Sequence, residues 1–104
     1  MPVAVVQEWS EGGTDTRGYD AVHERLMAAD APPEGFLVHT AGATPDGGFR
    51  IVEVWESRDH FERFAREILV PLVQELGDDR PAPATTIYDL HGFAVVDRAL
   101  AERF

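Results

Sequence analysis

The chain has 104 residues, 19 acidic against nine basic side chains, and a formal net charge of −10. This length suits one domain spanning residues 1–104, and the surplus of negative charge disfavours nucleic acid and anionic membranes as partners. The sequence contains no cysteine, which excludes disulfides, thiol nucleophiles and cysteine-ligated metals. All nine basic residues are arginine, which excludes a Schiff-base or P-loop lysine.

The periodicity of apolar residues predicts the elements in the order β-α-β-β-α-β. Strands are predicted over residues 2–9, 35–43, 49–56 and 84–91 from alternating, β-branched patterns. Helices are predicted over residues 17–30 and 58–76 from apolar residues three and four apart, with Ser57 capping the second helix. Asp97 is predicted to cap a short C-terminal helix that ends at Phe104.

No apolar run approaches the roughly 20 residues needed to cross a bilayer, and the first residues lack the hydrophobic core of a signal peptide. We therefore expect a soluble, cytoplasmic protein. Serine occurs only at Ser10 and Ser57. Since Ser57 is expected to cap a helix, a serine–histidine triad is not predicted.

Pro71 lies inside the second predicted helix. Its ring would clash with the carbonyl of Glu67, and its missing N–H would leave that carbonyl without a helical partner. We therefore expect a kink or a break there.

The segment 44–48, Thr-Pro-Asp-Gly-Gly, has the composition of a three-residue hairpin loop, a type I turn ending in a G1 bulge. Such a loop fixes the pairing of the two strands that it joins. It places His39 opposite Glu53, and Leu37 opposite Trp55. Because side chains alternate between the faces of a sheet, all four are expected on one face.

This order of elements is a split βαβ, or ferredoxin-like, arrangement of the α+β class with both helices on one face of an antiparallel sheet. A sheet covered on one side only would alternate with polar residues on its open side. These strands are apolar on both faces instead, so we expect a second copy of the chain to cover the open face as a homodimer. One face carries Val3, Val5, Phe49, Ile51 and Trp55, and the other carries Val6, Val38, Val52 and Val54.

The third strand running into its helix, with the pattern V-W-x-S at 54–57 followed by F-x-x-F from Phe61 to Phe64, resembles the antibiotic biosynthesis monooxygenase-like group of dimeric α+β barrels. The resemblance implies that fold, a homodimer and a small aromatic or polyketide-like ligand. It also implies oxygen chemistry without metal or flavin, since the group includes cofactor-independent monooxygenases. Related barrels act as cyclases or isomerases, and many members have no known activity.

The group also includes haem-degrading enzymes, which use an Asn late in the first strand and a Trp and a His on the long helix. In this chain those positions fall near Gln7, Phe64 and Gln74. None of the three residue types matches, so the resemblance argues against haem degradation.

His39 and Glu53 are the candidate catalytic residues, because a histidine beside a carboxylate can accept a proton. Gln7 is expected to hold a developing oxyanion and Trp55 to stack on a substrate ring. His91, in the last predicted strand, is a further candidate to bind the substrate. An ordinary structural pair of His39 and Glu53 is the alternative. These two residues and His91 could in principle ligate a metal, but they lack the close sequence spacing that is typical of metal ligands. No metal is therefore expected.

The remaining candidate groups are expected to be structural. Tyr19 is predicted to be a core contact, His23 and His60 to be solvated, and Trp9 to be core.

Three functions are compatible with these features. The first is a cofactor-independent monooxygenase in which His39 or Glu53 removes a proton from an enol or phenol. The second is a cyclase or isomerase that uses the same acid–base pair. The third is a non-catalytic small-molecule-binding or accessory dimer in which the pair only sets the strand register.

Overall fold

The computed structural model describes residues 1–94, so the expected helix from Asp97 to Phe104 lies outside the described residues. The predicted order of elements is confirmed. No helix in the described part of the chain is both long and apolar enough to span a bilayer. The elements are β1 (Val3–Trp9), α1 (Arg17–Met27), β2 (Phe36–Ala43), β3 (Phe49–Trp55), α2 (Arg58–Phe64), a π-helical turn (Ala65–Leu69), α3 (Val70–Glu75) and β4 (Ala84–Asp89).

The four strands form one antiparallel sheet in the order β2-β3-β1-β4. The helices lie on one of its faces, where Leu26 of α1 and the two phenylalanines of α2 pack against Val3, Val5 and Trp55. This is the α+β ferredoxin-like fold that the order of elements predicts.

The hairpin between β2 and β3 forms the predicted turn. The amide of Gly47 donates to the carbonyl of Thr44 at 3.1 Å, and Gly47 takes the left-handed conformation with φ +90°. Ala43 then pairs with Phe49. The predicted juxtaposition of His39 and Glu53, four pairs further along, is confirmed.

The expected pairing of Leu37 with Trp55 is wrong, because a β-bulge shifts the register between Phe36 and Val38. The extra residue turns Leu37 outward, and Phe36 takes its place opposite Trp55. The Phe36 ring stacks on the Trp55 indole with centroids 4.8 Å apart and planes 9° apart. Trp55 is fully buried and also meets the rings of Phe61 and Phe64 at 5.8 and 5.0 Å.

The interruption expected at Pro71 takes the form of a π-helical turn directly before it. The amide of Val70 donates to the carbonyl of Ala65, five residues back, so the helix widens where a proline cannot supply the next bond. The added residue also rotates the apolar stripe. Ile68, which lies four residues after Phe64 in the predicted apolar stripe of this helix, is 43% exposed, and Leu69 packs against the core instead.

The entry into β2 depends on contact between a glycine and a histidine ring. Ser57 caps α2 as predicted, accepting from the backbone amide of His60 at 3.2 Å. The His60 ring lies over Gly35, which has φ +82°. A Cβ added to Gly35 would stand 2.5 Å from Cγ of that ring.

We expect Gly35→Ala to lower the free energy of unfolding by about 1 to 2 kcal/mol through its left-handed backbone and by about 1 to 3 kcal/mol more through overpacking against His60. Gly47→Ala is the matched control, since Gly47 has φ +90° and nothing lies within 4 Å of an added Cβ. Urea unfolding of both variants measures the difference. Equal losses in the two variants would contradict the role given to the His60 contact.

Candidate functional site

A cavity of about 540 Å³ lies between the sheet and the helices. Its volume suits a small organic ligand. The π-helical turn contributes to the wall through Ala65 and Leu69. The apolar side chains that line it include Val22, Leu26, Phe36, Phe61, Phe64 and Leu69, and the polar ones include Gln7, Tyr19, His23, His39, Glu53 and Gln74.

Glu53 is the charged residue buried on the cavity side of the sheet, with 7% of its surface exposed. One carboxylate oxygen accepts from the indole Nε1 of Trp55 at 3.0 Å. The other lies 2.6 Å from Nδ1 of His39. A buried carboxylate is costly unless its oxygens are paired, and here both oxygens have nitrogen partners.

A chain of polar groups continues from Glu53 towards α1. Since a carboxylate only accepts, Nδ1 of His39 carries the proton that it shares with Glu53, and Nε2 of the neutral ring is left as an acceptor. The Tyr19 hydroxyl lies 2.6 Å from Nε2 and donates to it. On its other side, the Tyr19 hydroxyl is 3.4 Å from Nδ1 of His23.

The rings of Tyr19, His39 and His23 are stacked on one another. Tyr19 lies nearly parallel to His39, with centroids 5.9 Å apart and planes 7° apart, and the centroids of His23 and His39 are separated by 5.4 Å. Phe49 fixes the Tyr19 ring from another side at 5.3 Å. The position of the Tyr19 hydroxyl is therefore set by ring packing as well as by hydrogen bonding.

Burial raises the pKa of Tyr19 above its usual value of 10.0, and the negative charges of Glu53 and Asp20 act in the same direction. Tyr19 is therefore a neutral phenol at neutral pH. This agrees with its role as hydrogen-bond donor to His39.

The segment between α3 and β4 forms one end of the cavity. Arg80 makes a two-pronged ion pair with Asp78, at 2.6 Å for the closest atoms, and its guanidinium lies 5.0 Å from the centre of the Trp9 ring. The indole Nε1 of Trp9 donates to the carbonyl of Pro81 at 2.8 Å. These contacts hold the segment against the end of β1.

The structure brings together some of the predicted site residues. His39, Glu53 and Gln7 all line the cavity. Trp55 does not line it, because its ring is buried in the core, where it orients Glu53 instead of meeting a ligand. His91 lies beyond the end of β4, is exposed, and does not line the cavity either.

Trp9, predicted to be core, lines the cavity, and two further residues expected to be structural also belong to the site. Tyr19, predicted to be a core contact, joins His39 through its hydroxyl, and His23, predicted to be solvated, lines the cavity. The signal that could have found them is their spacing of four on α1, which places both on one helix face. Within residues 1–94, no three His, Asp or Glu side chains converge to hold a metal ion.

Solved structures share this fold. No protein-family model and no curated protein matches the chain. The structure of SnoaB, a cofactor-independent oxygenase from Streptomyces nogalater, matches 91% of this chain and 96% of its own with a TM-score of 0.56 at 20% identity. Rv0793 from Mycobacterium tuberculosis matches 91% of this chain and 100% of its own, with a TM-score of 0.63 at 21% identity.

A protein of Caulobacter crescentus CB15, provisionally named an antibiotic biosynthesis monooxygenase, matches 88% of this chain and 91% of its own with a TM-score of 0.65 at 18% identity. These neighbours confirm the resemblance to the antibiotic biosynthesis monooxygenase structures as one of fold over most of the chain.

We expect the Tyr19 hydroxyl to titrate above pH 10 in the folded protein, because burial disfavours the phenolate. The contribution of Tyr19 to stability is therefore present below pH 10 and is lost as the pH rises through its raised pKa. Tyr88→Phe removes the other tyrosine, so that ultraviolet absorption reports Tyr19 alone. A midpoint at or below 10 in the folded variant would contradict the buried, hydrogen-bonded hydroxyl.

Proposed function

We propose that this protein is a cofactor-independent monooxygenase that acts on a small, neutral aromatic or polyketide-like molecule carrying an acidic phenol or enol. The observation that carries the proposal is the pair of His39 and Glu53, 2.6 Å apart, at the wall of an apolar cavity. A histidine held by a carboxylate is a suitable general base, because the carboxylate stabilises the imidazolium that forms.

The charges around the cavity favour a neutral substrate. Among the described residues that line it, the arginine is Arg80, whose guanidinium is already paired with Asp78. An anionic substrate would therefore find no unpaired arginine and would meet the negative charge of Glu53. A ring system held by apolar contacts, with one acidic O–H near His39, suits this distribution.

Removal of the proton gives an electron-rich anion that can react with O2 directly. The electron-rich carbanion or enolate forms a C–O bond with O2, and the resulting peroxide takes a proton from the imidazolium. Loss of water then converts a CH2 group to a carbonyl, so one oxygen atom enters the product and the other leaves as water. Gln7 lines the cavity, and we expect its amide N–H to stabilise the developing oxyanion.

Support for oxygen chemistry, as opposed to another use of the base, comes from the likeness of fold to SnoaB, which is a cofactor-independent oxygenase. A fold hosts more than one reaction. The same base could serve a cyclase or isomerase, so the experiment includes oxygen as a variable.

We expect the wild-type protein to consume oxygen with anthrone, a tricyclic ketone with a phenolic enol form, and to release anthraquinone and water without added metal or flavin. His39→Gln and Glu53→Gln should each lower the rate by about 100-fold or more, because both remove general base catalysis. His91→Gln is the matched control, since His91 is exposed and lies away from the cavity. An oxygen electrode and product analysis measure the effect.

Full activity in His39→Gln would contradict the role of the pair. Turnover that proceeds equally without oxygen would favour the cyclase or isomerase.

We also propose that the protein is a homodimer that pairs through the sheet face opposite the helices. The register places Val6 of β1 beside Val52 of β3, and neither side chain is fully buried in one copy. Burying this apolar face in a second copy would stabilise both chains.

We expect sedimentation of the wild-type protein at micromolar concentration to give a dimer. Val52→Asp should give monomers, because it would place a charge in an apolar interface. Ile68→Asp is the control, since Ile68 is exposed on the helical side of the molecule. A wild-type monomer, or a Val52→Asp dimer of unchanged stability, would contradict this arrangement.

A further inference from the structure

His39 has no ring nitrogen free to meet a substrate. Its Nδ1 is occupied by Glu53 and its Nε2 by the Tyr19 hydroxyl, both at 2.6 Å. A base with both nitrogens engaged can accept a proton only through one of its partners, or after one of them moves away. Glu53 also lines the cavity, but each of its oxygens already accepts from a nitrogen, Nε1 of Trp55 or Nδ1 of His39.

We propose that Tyr19 is the catalytic residue that contacts the substrate and relays its proton to His39. This inference rests on the proposed function and adds the group through which the base acts. With the proton of His39 on Nδ1 towards Glu53, the Tyr19 hydroxyl donates to Nε2, which leaves lone pairs on the Tyr19 oxygen to accept an O–H from a ligand.

The proton passes from the substrate to His39 and leaves Tyr19 chemically unchanged. The substrate O–H bond breaks as a new O–H bond forms on the Tyr19 oxygen, and the original hydroxyl proton of Tyr19 moves to Nε2 of His39. The products are a substrate anion and an imidazolium, whose Nδ1–H remains bonded to Glu53. Tyr19 is a phenol before and after the step.

The surroundings of Tyr19 suit a residue that passes a proton to His39 and not one that acts as a base in the phenolate form. The Tyr19 hydroxyl contacts His39 of β2 and His23 of α1, and the negative charges of Glu53 on β3 and Asp20 on α1 act on it. Burial, together with the charges of Glu53 and Asp20, disfavours a phenolate, so the Tyr19 hydroxyl keeps its proton and donates a hydrogen bond to His39. The packing of the Tyr19 ring against Phe49 and both histidines holds the hydroxyl in place.

The relay also defines what the ligand must offer. Because the Tyr19 oxygen is free only to accept, the ligand must donate, which selects a phenol or enol over its ether. 4-Nitrophenol and its methyl ether 4-nitroanisole test this selection, since they have similar shapes and only the phenol can donate.

In a binding experiment, we expect the wild-type protein to bind 4-nitrophenol about tenfold more tightly than 4-nitroanisole, the value of one hydrogen bond of about 1.4 kcal/mol. Tyr19→Phe, which keeps the ring and removes the hydroxyl, should bind the two equally. Tyr88→Phe is the matched control and should behave as the wild type, since Tyr88 is exposed and does not line the cavity. An unchanged preference for the phenol in Tyr19→Phe would overturn the inference.

Absorption of the bound nitrophenol gives a second readout. The yellow anion should form at a pH about one unit lower in the wild-type complex than in the Tyr19→Phe complex, because the relay gives access to the base. In oxygen uptake with anthrone, Tyr19→Phe should lower kcat by about 100-fold with KM changed by less than about threefold.

The outcomes separate this inference from the proposed function. If the wild-type protein consumes no oxygen but selects the phenol through Tyr19, the monooxygenase proposal fails and the relay stands. If Tyr19→Phe keeps full activity while His39→Gln loses it, His39 meets the substrate directly and the relay is wrong.

Discussion

The buried carboxylate of Glu53 is the constraint on which the site depends. A charge held between a sheet and its helices costs several kcal/mol unless its oxygens are paired, and the sequence supplies two donors. Trp55 reaches Glu53 along the same strand, and His39 reaches it from the neighbouring strand. Once Nδ1 of His39 is committed to Glu53, Nε2 must accept, and Tyr19 provides its donor. The tautomer of His39 and the direction of proton transfer thus follow from one buried charge.

The pairing of His39 with Glu53 depends on the tight turn at the other end of the hairpin. Residues 45–47 fix the hairpin, and the hairpin sets which residue of β2 faces Glu53. The turn chemistry is local, so the sequence alone was sufficient to predict this juxtaposition. The same counting failed at Leu37, because a β-bulge is stabilised by tertiary contacts, here the stacking of Phe36 on Trp55. An alternating pattern does not reveal an inserted residue.

The rest of the site could not be predicted for a related reason. The periodicity placed α1 and the long helix correctly, but it did not show where the helices sit over the sheet, so Tyr19 and His23 could not be placed beside His39. The steric effect of Pro71 predicted an interruption. Its form as a π-helical turn, which moves Leu69 inward and Ile68 outward, depends on how the helix packs on the sheet. The fold was therefore predictable from pattern, and the site only as far as the hairpin pair and Gln7 of β1.

The antibiotic biosynthesis monooxygenase structures share the fold of this protein. The hydrogen bonds that join Glu53, His39 and Tyr19 are observed in this molecule itself. The most direct test is therefore the protonation of His39. Nitrogen-15 NMR of the imidazole rings, with the His39 signals assigned by their loss in His39→Gln, shows which nitrogen carries the proton in the neutral ring. We predict the proton on Nδ1, with Nε2 accepting from Tyr19. A neutral His39 with its proton on Nε2 would leave Glu53 without its donor and would contradict the arrangement from which the proposed chemistry follows.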